Sequence, residues 1–290
     1  MNKLSVPKPI IKWVGGKTQL IENLICKFPK EIKCYHEPFV GGGSVLFTLL
    51  SYVKEDLINL NEIYVSDSNE DLINLYKVIQ NNHKMLYDTL IKFVNEFNGI
   101  NNGDFKTKVN SKQNYYYFIR RLYNSINTCS FNIILKSALF IFLNKTCFRG
   151  LYRVGPNGFN VPYGNNKNPE IINLEHLEEI HELIQGVTFN CCDFTHALSK
   201  VKNGDFVYLD PPYVPVDKNS FVGYNVDGFD FEKHKTLFDI LNKAEYRYIM
   251  SNSDTPLVKE YFDKYLTVLA KRNINSKHPE SKINELIVFN

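Results

Sequence analysis

Asp210-Pro211-Pro212-Tyr213 sets a carboxylate, two residues without an amide hydrogen and an aromatic ring directly after an apolar run, Phe206-Val207-Tyr208-Leu209. The run reads as a short buried strand. Consecutive prolines cannot continue a strand inside a sheet, so the chain must leave there. The four residues are therefore displayed at a strand's carboxyl end, where open α/β sheets bind ligands. Together they suit methylation of an amino group on a planar heterocycle. The Asp210 carboxylate can accept one amino hydrogen, and a carbonyl before or between the prolines can accept the other. The Tyr213 ring can stack on the heterocycle. With both hydrogens held, the nitrogen lone pair is drawn out of conjugation toward a methyl donor. A plainer reading, in which Pro-Pro ends a strand and Tyr213 caps the core, is equally open from these residues alone.

Such a group needs a frame, and the flanking sequence supplies one. Lys12-Trp13-Val14-Gly15-Gly16-Lys17 combines a flat apolar wall, two cations and glycines that let backbone approach a ligand. It lacks the full spacing of a P-loop. A helix is expected from 18 to 28. A strand over 34–39 then runs into Val40-Gly41-Gly42-Gly43-Ser44 and an apolar helix. Ser44 is expected to cap that helix, whose N-terminus offers free N–H groups. The next strand, Ile63 to Ser66, ends in Asp67, 24 positions after Gly43. An acid so placed bonds ribose hydroxyls in nucleoside-binding sheets; capping the following helix is the alternative.

Helices are expected over 72–80, 85–97, 112–127 and 131–144, with a turn-rich break at 98–103. From Ile100 to Asn168 there are ten basic residues against one acid, Asp104. That local excess of +9 stands in a chain of net charge +3, as expected of a module that binds a polyanion. Within it Gly155-Pro156-Asn157-Gly158 signals a tight turn between short extended arms. The resulting β-hairpin carries Arg149, Leu151, Tyr152 and Arg153 on one arm. Arginine on a rigid ribbon can bond a guanine edge bidentately, and an apolar neighbour can wedge between bases. Beyond the hairpin, helices and strands alternate: 172–184, 187–191, a short helix after Asp193-Phe194, 206–209, 231–242, 246–250, 256–262, 265–270 and 286–289. That alternation specifies a doubly wound α/β sheet. The stretch 214–228 is long, polar and glycine-bearing, suited to cover a substrate.

Composition excludes other classes. No apolar run approaches a membrane span, and the first nine residues lack the apolar core of a signal peptide, so a cytoplasmic protein is expected. The six cysteines form no C-x-x-C pair, so no metal site is expected.

These motifs, in this order, resemble DNA adenine methyltransferases of the Dam type, which read GATC and carry the class I methyltransferase fold. Lys12 to Lys17 looks like the family's N-terminal cofactor motif. Glu37-Pro38-Phe39-Val40-Gly41-Gly42-Gly43-Ser44 looks like its glycine loop, Asp67 its ribose-binding acid and Asp210 to Tyr213 its catalytic tetrapeptide. Gly150-Leu151-Tyr152-Arg153 with Phe159 to Gly164 looks like its recognition hairpin. The resemblance implies a Rossmann-like methyltransferase sheet whose cofactor half (1–80) and second half (169–290) flank a helical target-recognition domain (81–168). It implies S-adenosylmethionine as donor, with Trp13, Lys17, Phe39, Gly41, Asp67, Asp193, Phe194 and Asp210 lining its site. It implies double-stranded DNA as substrate, with the adenine flipped against Tyr213 and Asp210, Pro211, Pro212 and Tyr213 carrying the chemistry. Arg149, Leu151, Tyr152, Arg153, Pro162 and Tyr163 would meet the DNA, Arg153 at the guanine. Arg149 stands where some members carry an intercalating Asn. A cognate restriction endonuclease is an implied partner. An RNA or protein-amide methyltransferase, or a DNA-binding protein that has lost catalysis, are the alternatives.

Overall fold

A computed structural model describes residues 4–17, 20–100, 111–126, 132–215, 229–271 and 282–290. Lys106, Lys108, residues 101–103 of the turn expected at 98–103 and residues 216–228 of the expected polar cover lie outside them, and the helix before that turn continues to Gly99.

In chain order the elements are α1 (Ile21–Ile25), β1 (Glu31–Glu37), α2 (Ser44–Lys54), β2 (Asn59–Asp67), α3 (Glu70–Gly99), α4 (Lys112–Ser125) and α5 (Ile133–Thr146). A 3-10 turn, Phe148–Gly150, leads into the hairpin β3 (Val154–Gly155) and β4 (Gly158–Phe159). Then follow α6 (Leu174–Leu183), β5 (Val187–Cys191), α7 (Phe194–Leu198), β6 (Phe206–Leu209), α8 (Phe231–Asn242), β7 (Arg247–Ser253), α9 (Pro256–Tyr261), β8 (Tyr265–Lys271) and β9 (Lys282–Phe289).

Seven strands form one sheet in the order β5-β2-β1-β6-β7-β9-β8. The pairs from β5 through β7 are parallel, and β9 runs antiparallel to both β7 and β8. This is the mostly parallel, Rossmann-like α/β sheet that the alternation of elements specifies. The chain order reverses between β1 and β6, where such sheets open a crevice at their carboxyl ends. Both faces of β6 are covered, which is why Phe206-Val207-Tyr208-Leu209 is an unbroken apolar run and wholly buried.

The two helices expected over 72–80 and 85–97 are one element interrupted at Asn82 (φ −141°, ψ 30°). The boundary expected at 80/81 falls just before that interruption. Buried residues of α3, α4 and α5 belong to the same apolar cluster as Leu46 of α2 and Tyr35 and Val65 of the sheet. Helices α4 and α5 pack on α3, where Phe97, Tyr115 and Phe142 meet ring to ring, and α3 lies against β2 and β5. The hairpin is gripped by α4. Asn124 exchanges two hydrogen bonds with the Phe159 backbone (2.9 and 3.0 Å), and Tyr116 donates to the Val161 carbonyl at 2.7 Å. No described helix is long and apolar enough to cross a membrane.

Candidate active site

The prolines lead the chain out of β6, and β7 catches it. Asn252 Oδ1 accepts the Val214 amide at 3.1 Å, and Ser253 Oγ donates to the Val214 carbonyl at 2.5 Å. Asp210 and Tyr213 are thereby held at the crevice beside β1. Lys17, 4 % exposed, reaches across from the N-terminal loop. Its ammonium lies 2.7 Å from Asp210 Oδ2, donates to the Gly15 carbonyl at 2.5 Å and stands 4.8 Å from the centre of the Tyr213 ring. Burial pushes the Asp210 carboxyl up to about 6, partly countered by Lys17 and reinforced by the charge of Glu285.

The glycine loop closes the neighbouring wall. Gly41 and Gly43 have φ of +49° and +77°, a region open to glycine and strained for other residues. A Cβ on Gly41 would lie 2.8 Å from the Trp13 ring, so the indole packs directly on the loop backbone. Tyr76 donates to the Gly41 carbonyl at 2.9 Å. At the end of β2, Asp67 Oδ2 accepts the Gly41 amide (3.1 Å) and Oδ1 the Asn69 amide (3.0 Å). Burial nevertheless raises its pKa. Ser44 is not the cap of α2: that place belongs to Gly43, in the left-handed conformation, and Ser44 Oγ accepts the Lys17 amide at 3.2 Å. The hydroxyl joins two loops because Gly43 turns the chain before Ser44 can fold back.

Phe39 and Phe194 stack with centroids 5.7 Å apart, and Phe229 completes a trio at 5.8 and 5.5 Å from them. Asp193 is exposed and caps α7, accepting the Thr195 amide (2.9 Å) and hydroxyl (2.8 Å).

The recognition arm divides. Arg149, in the left-handed region (φ 57°), Arg153 and Pro162 are exposed. Leu151, Tyr152 and Tyr163 are half-buried. Tyr152 turns inward: its ring lies 5.5 Å from Trp13, and its hydroxyl donates to Asp71 Oδ2 at 3.3 Å. Asp71 also accepts from Tyr123 and pairs with Lys136 at 2.7 Å. Lys136 is therefore bound to the core, and Arg120 is tied to the Val161 carbonyl at 3.2 Å, so neither belongs to the exposed basic face. Tyr152 joins the hairpin segment to the N-terminal loop and to α3 instead of facing outward. Its amphipathic ring finds both an apolar wall and a buried carboxylate inside.

Sequence reasoning missed Glu37, Tyr76, Phe229, Asn252 and Glu285. An acid at a strand end before Pro38 was a signal for Glu37, and an acid inside the apolar Ile283 to Phe289 run was one for Glu285. Glu37, 2 % exposed, accepts the Tyr35 hydroxyl at 2.8 Å. Burial, then the charges of Asp210 and Asp67, push it up from 4.5 to about 8 against the Tyr35 bond. Stability from a carboxyl raised in this way is full below pH 4.5 and is lost as pH rises through about 8. Glu37→Gln keeps the shape and cannot ionise. Its urea midpoint should gain on that of the wild type steadily from pH 5 to 8; parallel midpoints would mean that Glu37 is already ionised.

Among the described residues no group of His, Cys, Asp and Glu could hold a metal ion. A family model described as D12 class N6 adenine-specific DNA methyltransferase matches residues 13–275. The chain is 37 % identical to the type II methyltransferase M.MjaIII of Methanocaldococcus jannaschii, covering 98 % of this chain and 99 % of that protein. It is 31 % identical to the type II methyltransferase M1.LlaDCHI of Lactococcus lactis subsp. cremoris, over 100 % and 97 %. It is 30 % identical to a DNA adenine methylase of Escherichia coli K12, over 97 % and 95 %.

Proposed function

The chain belongs to the D12 class of N6 adenine-specific DNA methyltransferases, and from that membership we propose the particular reaction. It methylates the exocyclic amine of adenine in duplex GATC, with S-adenosylmethionine as donor and the target base flipped out of the helix. The observation that carries this reading is the Asp210–Lys17–Tyr213 cluster at the sheet's switch point.

The crevice fits the donor. The Gly41–Gly42 backbone lies where a Cβ would strike Trp13, and Asp67 keeps lone pairs for ribose hydroxyls beside its two amide bonds. Phe39, half-buried and stacked on the buried Phe194, is the ring of that pair with area left for a purine. S-adenosylmethionine supplies a methyl group activated on a sulfonium. The protein's part is positioning and electrostatics. Lys17 engages Asp210 Oδ2, which leaves Oδ1 for one hydrogen of the adenine amine. The Pro211 carbonyl takes the other. Tyr213 stacks on the ring. The held nitrogen presents its lone pair away from that edge, and ionised Asp210 receives the proton the methylated nitrogen sheds.

The test is methylation of random duplex DNA with labelled S-adenosylmethionine, followed by mapping of modified adenines. Modified adenine outside GATC would overturn the site assignment, and donor binding without transfer would mark a protein that has lost catalysis. Asp210 can take up the shed proton only when ionised, and its carboxyl sits at about 6. Rate at limiting DNA should therefore climb about tenfold per pH unit below that value and level off above it. A profile already flat at pH 5 would remove Asp210 from that role.

Lys12, Arg121, Arg149, Arg153 and Lys167 are exposed cations of the N-terminal loop and the recognition segment. Each one that meets a phosphate should steepen the fall of log affinity against log salt by about 0.9. Affinity unmoved between low and physiological salt would place the DNA elsewhere. Two relatives are named type II methyltransferases, and a cognate restriction endonuclease is the partner that such a role requires. The substrate places the enzyme inside the cell.

A further inference from the structure

Tyr213 is anchored at both ends. At its backbone, two prolines restrict the approach and Asn252 holds the next amide. At its tip, the hydroxyl donates to Glu285 Oε2 at 2.7 Å. Glu285 comes from the far end of the chain. Strand β9 inserts between β7 and β8, setting Glu285 opposite Ser253 and Val268. It is 7 % exposed and is followed by Leu286, Ile287 and Val288, all buried. A carboxylate in such a place is costly unless bonded, and the bond found crosses from the sheet to the crevice.

We propose that Glu285 is a positioning residue for methyl transfer: as acceptor for the Tyr213 hydroxyl, it sets the tilt of the ring against which the target adenine stacks. The inference rests on the reading that Tyr213 faces the flipped base. Without that bond the ring, with Lys17 over its face, gains freedom in its two side-chain torsions. The base stacked on it would then sample angles at which its amine misses the donor. Loss of the anchor should lower the rate of the bound complex more than its formation, because near-attack geometry is what it secures.

The experiment is single-turnover methylation of a GATC duplex by the full chain, with binding of DNA and of S-adenosylmethionine measured alongside. Glu285→Ala should slow transfer about tenfold, equivalent to about 1.4 kcal/mol, with both affinities changed by less than about twofold. Glu285→Gln retains an acceptor oxygen and should lose no more than about threefold. Tyr213→Phe keeps the ring without the hydroxyl and should resemble Glu285→Ala, and the double variant should be no slower than Tyr213→Phe alone. Multiplying losses in the double variant, or a Gln variant as slow as the Ala variant, would overturn the proposal. If Glu285→Ala does not fold, the Gln and Phe variants still decide it. Incorporation of 3-fluorotyrosine gives a substrate-free check through the resonance missing in Tyr213→Phe. That resonance should move in Glu285→Gln, and an unmoved one sinks the proposal alone. A wild type that leaves duplex adenine unmethylated sinks the functional reading and leaves the contact standing.

Discussion

Asp210→Ala should reduce methyl transfer by about 10²- to 10³-fold or more, the range seen when one preorganised polar contact to a reacting group is removed. Affinity for duplex DNA should change little. Asp210 lies at the carboxyl end of β6 under Lys17, whereas the exposed cations lie on the N-terminal loop and the recognition segment. The substitution also takes a carboxylate from Lys17, which is itself buried. Asp210→Asn separates the two effects: its single amide oxygen can still receive the ammonium, but it carries no charge and cannot take up a proton. The Asn variant should therefore keep the wild-type thermal midpoint more closely than the Ala variant while remaining strongly impaired. The measurement is turnover on a GATC duplex at saturating donor, with DNA binding followed in parallel. An Ala variant retaining more than about a tenth of wild-type turnover has lost less than about 1.4 kcal/mol, too little for a residue in contact with the reacting amine.

Arg153→Ala should relax discrimination at the guanine of GATC by about 5- to 150-fold, the equivalent of about 1–3 kcal/mol for a bidentate arginine–guanine pair. The hairpin holds this side chain in a defined pose. Arg153 is exposed, and its Nε donates to Asn160 Oδ1 at 2.6 Å while Nη2 reaches the Asn160 carbonyl at 3.4 Å. Two of the five guanidinium donors go to the opposite arm, so the fork is held in place with donors to spare. The arms are in turn fixed to α4 through Asn124 and Tyr116. A duplex panel with single changes in GATC, assayed with both proteins, reads the effect. The salt slope should shift less than for a phosphate-contacting lysine. A variant that still rejects the altered guanine as strongly as the wild type does would mean another residue reads that base.

The expectations met by the structure are those carried by local chemistry. An apolar run before Asp210-Pro211-Pro212-Tyr213 had to be a buried strand that stops, because proline has no amide to give to a ladder. Gly-Pro-Asn-Gly had to turn, and its hairpin is there at Gly155–Gly158. Strands alternating with helices had to make a mostly parallel sheet, since a parallel pair needs a crossover. These follow from torsional limits and hydrogen-bond supply within a few residues, so the order of residues determines them. The break expected between residues 80 and 85 is there, at Asn82, but helix caps were less legible: Gly43 displaced Ser44 at the start of α2. Here neighbouring packing outweighs small local preferences.

Long-range pairing was beyond the reach of pattern. Glu285 meets Tyr213 across 72 positions, and Tyr152 meets Asp71 across 81. An acid in an apolar strand and a tyrosine on a basic arm each have several low-energy destinations. Only strand order, with β9 between β7 and β8, and the packing of α3 against α5 choose among them. The residue types at the crevice, and the chemistry they can perform, were determined by the sequence alone. Which way Tyr152 faces, what holds the Tyr213 ring and which buried acids have raised pKa values were decided by tertiary structure, because burial and partner distance set those properties and neither is a property of a residue by itself.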